Sequence, residues 1–186
     1  MKRCFDLLLT LGSLPLLALP LLFAALAVRL SSPGPVLYWS DRVGRNNVIF
    51  QMPKLRSMRI DTPAVATHLL DNPAQWLTPI GSFIRKTSMD ELPQLWCILK
   101  GDMSIVGPRP ALFNQHDLIA LRSQHGVHTL VPGLTGLAQI NGRDELAMPE
   151  KVRLDTQYLL QRSFWLDLHI VWRTLTQALR SQGVAH

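Results

Sequence analysis

The chain is 186 residues long, with 19 Lys+Arg against 13 Asp+Glu, a net charge of +6 and 47% hydrophobic residues. One domain of ordinary size accounts for that length and excludes a multi-domain machine, and the hydrophobic content excludes disorder for the bulk of the chain. The positive balance points to a polyanionic partner: nucleic acid, an anionic membrane surface or a phosphorylated substrate.

The apolar content is concentrated at the N-terminus, where Leu7 to Val28 runs 22 residues without a charge. At ~1.5 Å per residue such a helix reaches about 33 Å, enough to cross a hydrocarbon core. Pro15 and Pro20 interrupt it, and a proline inside a helix removes a hydrogen bond and kinks the axis. Lys2 and Arg3 precede the segment; Arg29, Arg42, Arg45, Lys54, Arg56 and Arg59 follow it. The positive-inside tendency therefore pulls both ends to the cytoplasm, which suits a bent, re-entrant or interfacial anchor better than a simple span. A signal peptide would fit Ala24-Ala25-Leu26-Ala27 as a cleavage site, but the apolar run is longer than a signal segment and Asp6 is out of place in one. These three readings stand open on the residues alone. Cys4 and Cys97 are too few for a disulfide framework or a zinc site and read as buried thiols in a reducing compartment.

The turn cluster Ser31-Ser32-Pro33-Gly34-Pro35 ends the apolar segment. Val36–Trp39 and Val48–Phe50 read as the strands of a hairpin around the loop Asp41–Asn47. Asp61–Gln75 reads as a surface loop and Ile80–Lys86 as a short helix or turn. Ser88-Met89-Asp90-Glu91 opens a helix through Leu99, with Gly101 just past its end. Ala111–Ser123 is a second helix. Val131–Leu134 and Asn141-Gly142 are turns flanking a strand at Leu137–Ile140. Pro149 suits a first helical position, and the helical pattern runs to about Arg180 with a break near Ser163. Leu168, Val171, Trp172, Leu175 and Leu179 line one apolar face, and Trp165 and Trp172 beside Arg162, Arg173 and Arg180 suit an interfacial helix or a core helix with a basic outer face.

Three clusters carry chemistry. In Ser88–Leu95, adjacent Asp90 and Glu91 follow Arg85 and Lys86. Ser88 and Glu91 have the spacing of a capping box. The same carboxylates, kept ionised by the two bases, suit a divalent ion or a nucleophilic role. In Gly101–Pro110, Pro108 and Pro110 fix the backbone around Arg109, a pre-positioned phosphate fork or a solvated Arg in a rigid loop. Lys54-Leu55-Arg56-Ser57-Met58-Arg59 is a third basic cluster. Gln139–Arg143 sets a further Arg behind a tight turn. No Rossmann fingerprint, phosphate-binding glycine loop or Ser-centred elbow is present, and the six histidines show no metal spacing.

Together these residues resemble the bacterial sugar transferase family, the small monotopic polyprenyl-phosphate phosphoglycosyl transferases. The resemblance rests on Lys2, Arg3 and Asp6; on Gly34-Pro35-Val36; on Lys54–Met58; on Asp90–Leu95; on Lys100–Pro110; and on Pro132–Gly136 with Gln139–Arg143. One departure is Leu19 before Pro20, where the family often has a Ser whose hydroxyl would satisfy a carbonyl freed at the bend.

The resemblance implies an α+β, mostly α fold: a re-entrant membrane helix over residues 1–30, broken at Pro20, and a cytosolic catalytic domain over 31–186 with short strands and interfacial amphipathic helices. It implies transfer of a phosphosugar from a UDP-sugar to polyprenyl (undecaprenyl) phosphate with Mg²⁺ and release of UMP. That is the first membrane step of a surface glycan, on the cytoplasmic face of a bacterial inner membrane. Asp90 would be the nucleophile, Glu91 its partner in proton transfer, and the two together the metal ligands. Lys54, Arg56, Arg85, Pro108, Arg109, Pro110, Gln139 and Arg143 would form the substrate site. The expected partners are the UDP-sugar, the lipid acceptor, membrane lipid and downstream glycosyltransferases, with no nucleic acid. The rival is a non-catalytic membrane adaptor whose basic surface holds anionic lipid or a glycan-assembly partner.

Overall fold

The computed structural model describes residues 2–63, 70–142 and 145–180. It is mostly helical, with two small sheets. The first helix, α1 (Lys2–Ser31), is not broken at Pro20 as expected: it continues through Pro15 and Pro20, since a proline removes one bond from a long helical ladder without having to end it. It is long and apolar enough to cross a membrane by length and composition. One side of it packs on the rest of the chain along its length. Leu14 and Leu17 lie against a core of Met52, Leu95, Cys97, Ile98 and Met103, and Ala24 and Val28 join Leu55 and Ile84 in another. The other side leaves Leu8, Leu11, Leu16, Leu19, Leu22, Leu26 and Leu30 exposed.

The N-terminal turn of α1 is fastened by polar contacts. Asp6, 2% exposed, accepts from Ser104 Oγ at 2.9 Å and from the Ile105 amide at 3.1 Å. Lys2 Nζ lies 2.7 Å from Asp167 Oδ2. Arg3 donates to the carbonyls of Ile98 and Leu99, the open C-terminal end of a helix, where a cation complements the helix dipole. Cys97 is buried as expected, but Cys4 is exposed, because Lys2, Arg3 and Asp6 take the contacts that fasten this turn.

The expected hairpin is present and longer than the apolar runs suggested: β1 (Leu37–Val43) pairs antiparallel with β2 (Ile49–Leu55), from Leu37↔Leu55 to Val43↔Ile49. Of the Asp61–Gln75 loop, residues 64–69 lie outside the described residues, and Pro73–Trp76 form a 3₁₀ turn. Helix α2 (Gly81–Lys86) matches the short helix read from the sequence. The helix expected from Ser88 to Leu99 is two pieces: a 3₁₀ helix over Met89–Gln94, with Pro93 inside it, and then α3 (Leu95–Lys100), ended by Gly101 at φ 100°.

After α3, β3 (Ser104–Val106) pairs parallel with β4 (Gly133–Thr135). Between them, α4 (His116–Gln124) starts later than Ala111, because the Gln115 side chain accepts from the Leu112 amide at 2.8 Å and a turn precedes the helix. The strand expected at Leu137–Ile140 is instead a short helix, α5, with the Ile140 amide donating to Gly136 at 3.1 Å. Four apolar-leaning residues do not distinguish the two periods; the strand is the Gly-Leu-Thr just before. Helix α6 (Met148–Gln161) has Pro149 in its first turn, and α7 (Phe164–Arg180) follows a break in which Ser163 Oγ accepts from the Leu166 amide at 3.2 Å. Ile170 is fully buried, while Phe164, Trp165, Leu168, Trp172 and Leu175 are exposed.

Candidate active site

The 3₁₀ helix carrying Asp90 and Glu91 packs between β2, α2 and α1. Met89 reaches the core that Ala24 and Val28 share with Leu55 and Ile84. The capping box does not form. Ser88 sits at φ 55° with no side-chain capping bond, and its amide closes α2 on the Arg85 carbonyl. The Glu91 carboxylate is engaged elsewhere: its Oε1 accepts from Arg109 Nη2 at 2.7 Å and from Lys54 Nζ at 3.2 Å. Glu91 is well shielded, with 13% of its side chain exposed, and Lys54 similarly at 16%. A pair this dry interacts far more strongly than a surface ion pair.

Asp90 is 9% exposed. Burial pushes its carboxyl up from 3.8 to about 6, Lys54 pulls it back, the neighbouring Glu91 raises it, and Arg85 and Arg109 lower it. Burial also lowers the Lys54 ammonium below its ordinary range, with Glu91 opposing that effect. The site thus holds one carboxylate clamped by two cations and a second poised near neutrality, which is how proteins tune reactive carboxyls.

Pro108 and Pro110 are buried on either side of Arg109, whose side chain is 30% exposed. Arg56 is placed differently. It is 5% exposed and donates to the carbonyls of Pro35 at 2.7 Å and Ser32 at 3.0 Å, so it braces the turn that leaves α1. Gln139, on α5, is 5% exposed and its amide atoms are unpartnered among the described residues. It lies against Gly136, behind the turn at Gly107 that leads into Arg109. Arg143 lies outside the described residues. Sequence reasoning missed Arg42, whose Nη1 donates to the Pro110 carbonyl at 3.2 Å, and the buried pair Arg122–Asp155 at 2.7 Å. Only the alternation of Ser40 and Arg42 on one face of β1 hinted at the first.

Among the described residues no group of three or more His, Cys, Asp or Glu gathers to hold a metal. Two adjacent carboxylates are nevertheless a donor set that suits Mg²⁺, which keeps water ligands and shares substrate phosphates.

Comparison with known proteins bears on this arrangement. The family model for bacterial sugar transferases matches residues 1–181. The chain belongs to the bacterial sugar transferase family. Among its relatives in that family, the uncharacterized sugar transferase EpsL of Bacillus subtilis is 39% identical over 184 residues, covering 99% of this chain and 90% of EpsL. The undecaprenyl-phosphate galactose phosphotransferase of Salmonella typhimurium is 35% identical over 198 residues, covering 98% of this chain. The UDP-glucose:undecaprenyl-phosphate glucose-1-phosphate transferase of Escherichia coli is 39% identical over 183 residues, covering 94%. The chain spans only 41% and 39% of the length of these last two sugar transferases.

Proposed function

We propose that this sugar transferase moves a sugar phosphate from a UDP-sugar to polyprenyl phosphate at a membrane surface. The observation that carries the reading is the buried Asp90, poised near neutrality beside Glu91, Lys54, Arg85 and Arg109, on a helix that packs against the long apolar α1.

The ionised Asp90 carboxylate attacks the sugar-bearing phosphorus of the donor. The new bond is Asp90 Oδ–P, and the bond to the UMP oxygen breaks, so UMP leaves. An oxygen of the polyprenyl phosphate then attacks the same phosphorus and releases the Asp90 carboxylate. Arg109 and Arg85 hold the phosphates, and Lys54 balances the two carboxylates so that Asp90 can ionise in a dry site. Glu91 fixes Arg109 and takes the proton from the acceptor phosphate. Arg56 contributes by fixing the turn after α1, and Gln139 by backing the loop that carries Arg109. Mg²⁺, held by Asp90 and Glu91, would neutralise charge on the donor diphosphate.

The anchor belongs to the same reading. Lys2, Arg3 and Asp6 at one end of α1 and Ala24 and Val28 at the other all contact the rest of the chain. Contacts at both ends, and at Leu14 and Leu17 between them, support an anchor over residues 1–30 whose two ends stay on one membrane face, with residues 31–186 as the catalytic part on the cytoplasmic side of the inner membrane. Relatives that are undecaprenyl-phosphate galactose and glucose phosphotransferases support a lipid-linked acceptor, and such a product suits the start of surface-glycan assembly.

UMP released from a panel of UDP-sugars, with Mg²⁺ and polyprenyl phosphate in detergent, tests the reaction. Asp90→Asn should abolish release. Normal turnover in that variant overturns the nucleophile, and liposome binding with no UMP from any donor would instead favour the adaptor.

A further inference from the structure

The loop that carries Arg109 is held in an unusual way. Pro108 and Pro110 have no amide hydrogens, so the loop has few donors of its own. Its carbonyls are all held. The Pro108 oxygen accepts from the Gly133 amide at 2.9 Å, and the Ala111 oxygen accepts from the Val43 amide at 2.9 Å. The Arg109 oxygen accepts from Arg122 Nη1 at 2.7 Å, and the Pro110 oxygen from Arg42 Nη1 at 3.2 Å. Four consecutive carbonyls thus find donors on three separate elements, β1, α4 and β4.

Arg122 is the donor that holds the Arg109 carbonyl itself. Its remaining edge is occupied: Nε and Nη2 reach Asp155 Oδ2 at 3.0 and 2.7 Å. Both partners are sheltered, with 11% of the Arg122 side chain and 2% of the Asp155 side chain exposed. A guanidinium tied on one edge is oriented on the other, because its donors lie in one rigid plane. A physical line therefore runs from Asp155 on α6, through Arg122 on α4, to the Arg109 backbone, and from the Arg109 side chain to Glu91 at 2.7 Å.

We propose that Arg122, oriented by Asp155, is the positioning residue that aims Arg109 at the substrate phosphates. This rests on the reading of Arg109 as a phosphate ligand. The competing account is a buried ion pair that merely joins α4 to α6, and breaking such a pair by removing one partner destabilises the fold by itself. The two accounts differ in whether the effect of Arg122 passes through the Arg109 side chain.

The test is a double-mutant cycle on the full chain in detergent, read as kcat and KM for UMP release and accompanied by thermal melting. Arg122→Lys keeps a positive charge near Asp155 but cannot present a fork to both a carboxylate and a carbonyl. We expect it to lower kcat/KM by about tenfold to a hundredfold, the scale of a misplaced catalytic contact. In an Arg109→Ala background, assayed at enough enzyme to read residual turnover, the same change should cost less than about twofold, since the group it aims is gone. Asp155→Asn, which keeps the shape and an acceptor, should give the same pattern and carries the cycle if Arg122→Lys does not fold. Equal losses in both backgrounds, tracking the melting temperature, would overturn positioning in favour of a folding role. Wild-type activity in Arg122→Lys would also overturn it while leaving the reaction intact. Failure of the wild-type chain to release UMP from any donor would remove the underlying reading, and this inference with it.

Discussion

At the scale of the residue, the site stores unfavourable energy in Asp90. Its folded carboxyl titrates at about 6 against 3.8 when unperturbed, with burial as the main cause. The unfolded chain releases this proton near 3.8 and the folded chain keeps it to about 6, so between those values the folded state binds more protons. Stability therefore falls as pH rises through that window, by ~2–3 kcal/mol in total, and the loss is complete above about 6. Asp90→Asn, which cannot ionise, should for that reason melt at a higher temperature than the parent at pH 7.5, with little difference at pH 4. Equal melting temperatures at pH 7.5 would contradict the burial cost. The kcat/KM of the parent should rise with pH through about 6 as Asp90 ionises; a flat profile from pH 5 to 7.5 would count against it. The sequence displayed the Asp90-Glu91 pair and the bases just before it. It did not display the partners of Glu91, because Lys54 and Arg109 lie 37 and 18 residues away and only tertiary packing joins them. The same packing explains the failed capping box: a glutamate clamped by two cations is not available to a helix terminus.

Elements were legible where a pattern was long or punctuated. The hairpin, α2, the break at Ser163 and the Gly101 stop could all be read from alternation, turn residues and caps. The β3–β4 pair could not, since each strand is three residues long and the two are parallel. What holds that pair together is close backbone approach. A Cβ on Gly133 would come within 2.1 Å of the Gly107 nitrogen and 2.4 Å of the Thr135 oxygen, both backbone atoms that cannot swing aside. Gly133→Ala should therefore cost about 2–3 kcal/mol, the upper part of the range for overpacking, measured as a lowered melting temperature. It should also weaken activity, because the Gly133 amide holds the Pro108 carbonyl. A neutral substitution would mean that the two strands separate freely.

The whole molecule joins an apolar helix to a basic body. The hydrophobic excess resides in α1 and in the exposed aromatic face of α7, and the cations surround a buried carboxylate pair and the ends of α1. The exposed native Cys4 offers a reporter at the start of α1, and Cys97 is buried out of reach. In inverted membrane vesicles an impermeant maleimide should label Cys4 in the parent. It should equally label Ser31→Cys in a Cys4→Ser background. Labelling of the two ends from opposite sides would refute a helix that returns to the face it entered.

The polar fastening of α1 has a consequence for biosynthesis. Helix α1 finds its anchoring partners 95 to 165 positions later in the chain, at Ile98, Ser104 and Asp167. At roughly 5–20 residues per second, α1 emerges several seconds before β3 exists and longer still before α7 does. Throughout that interval Lys2 and Asp6 lack these partners. The Lys2–Asp167 contact, which joins the most distant of these partners, is then the last of them to close.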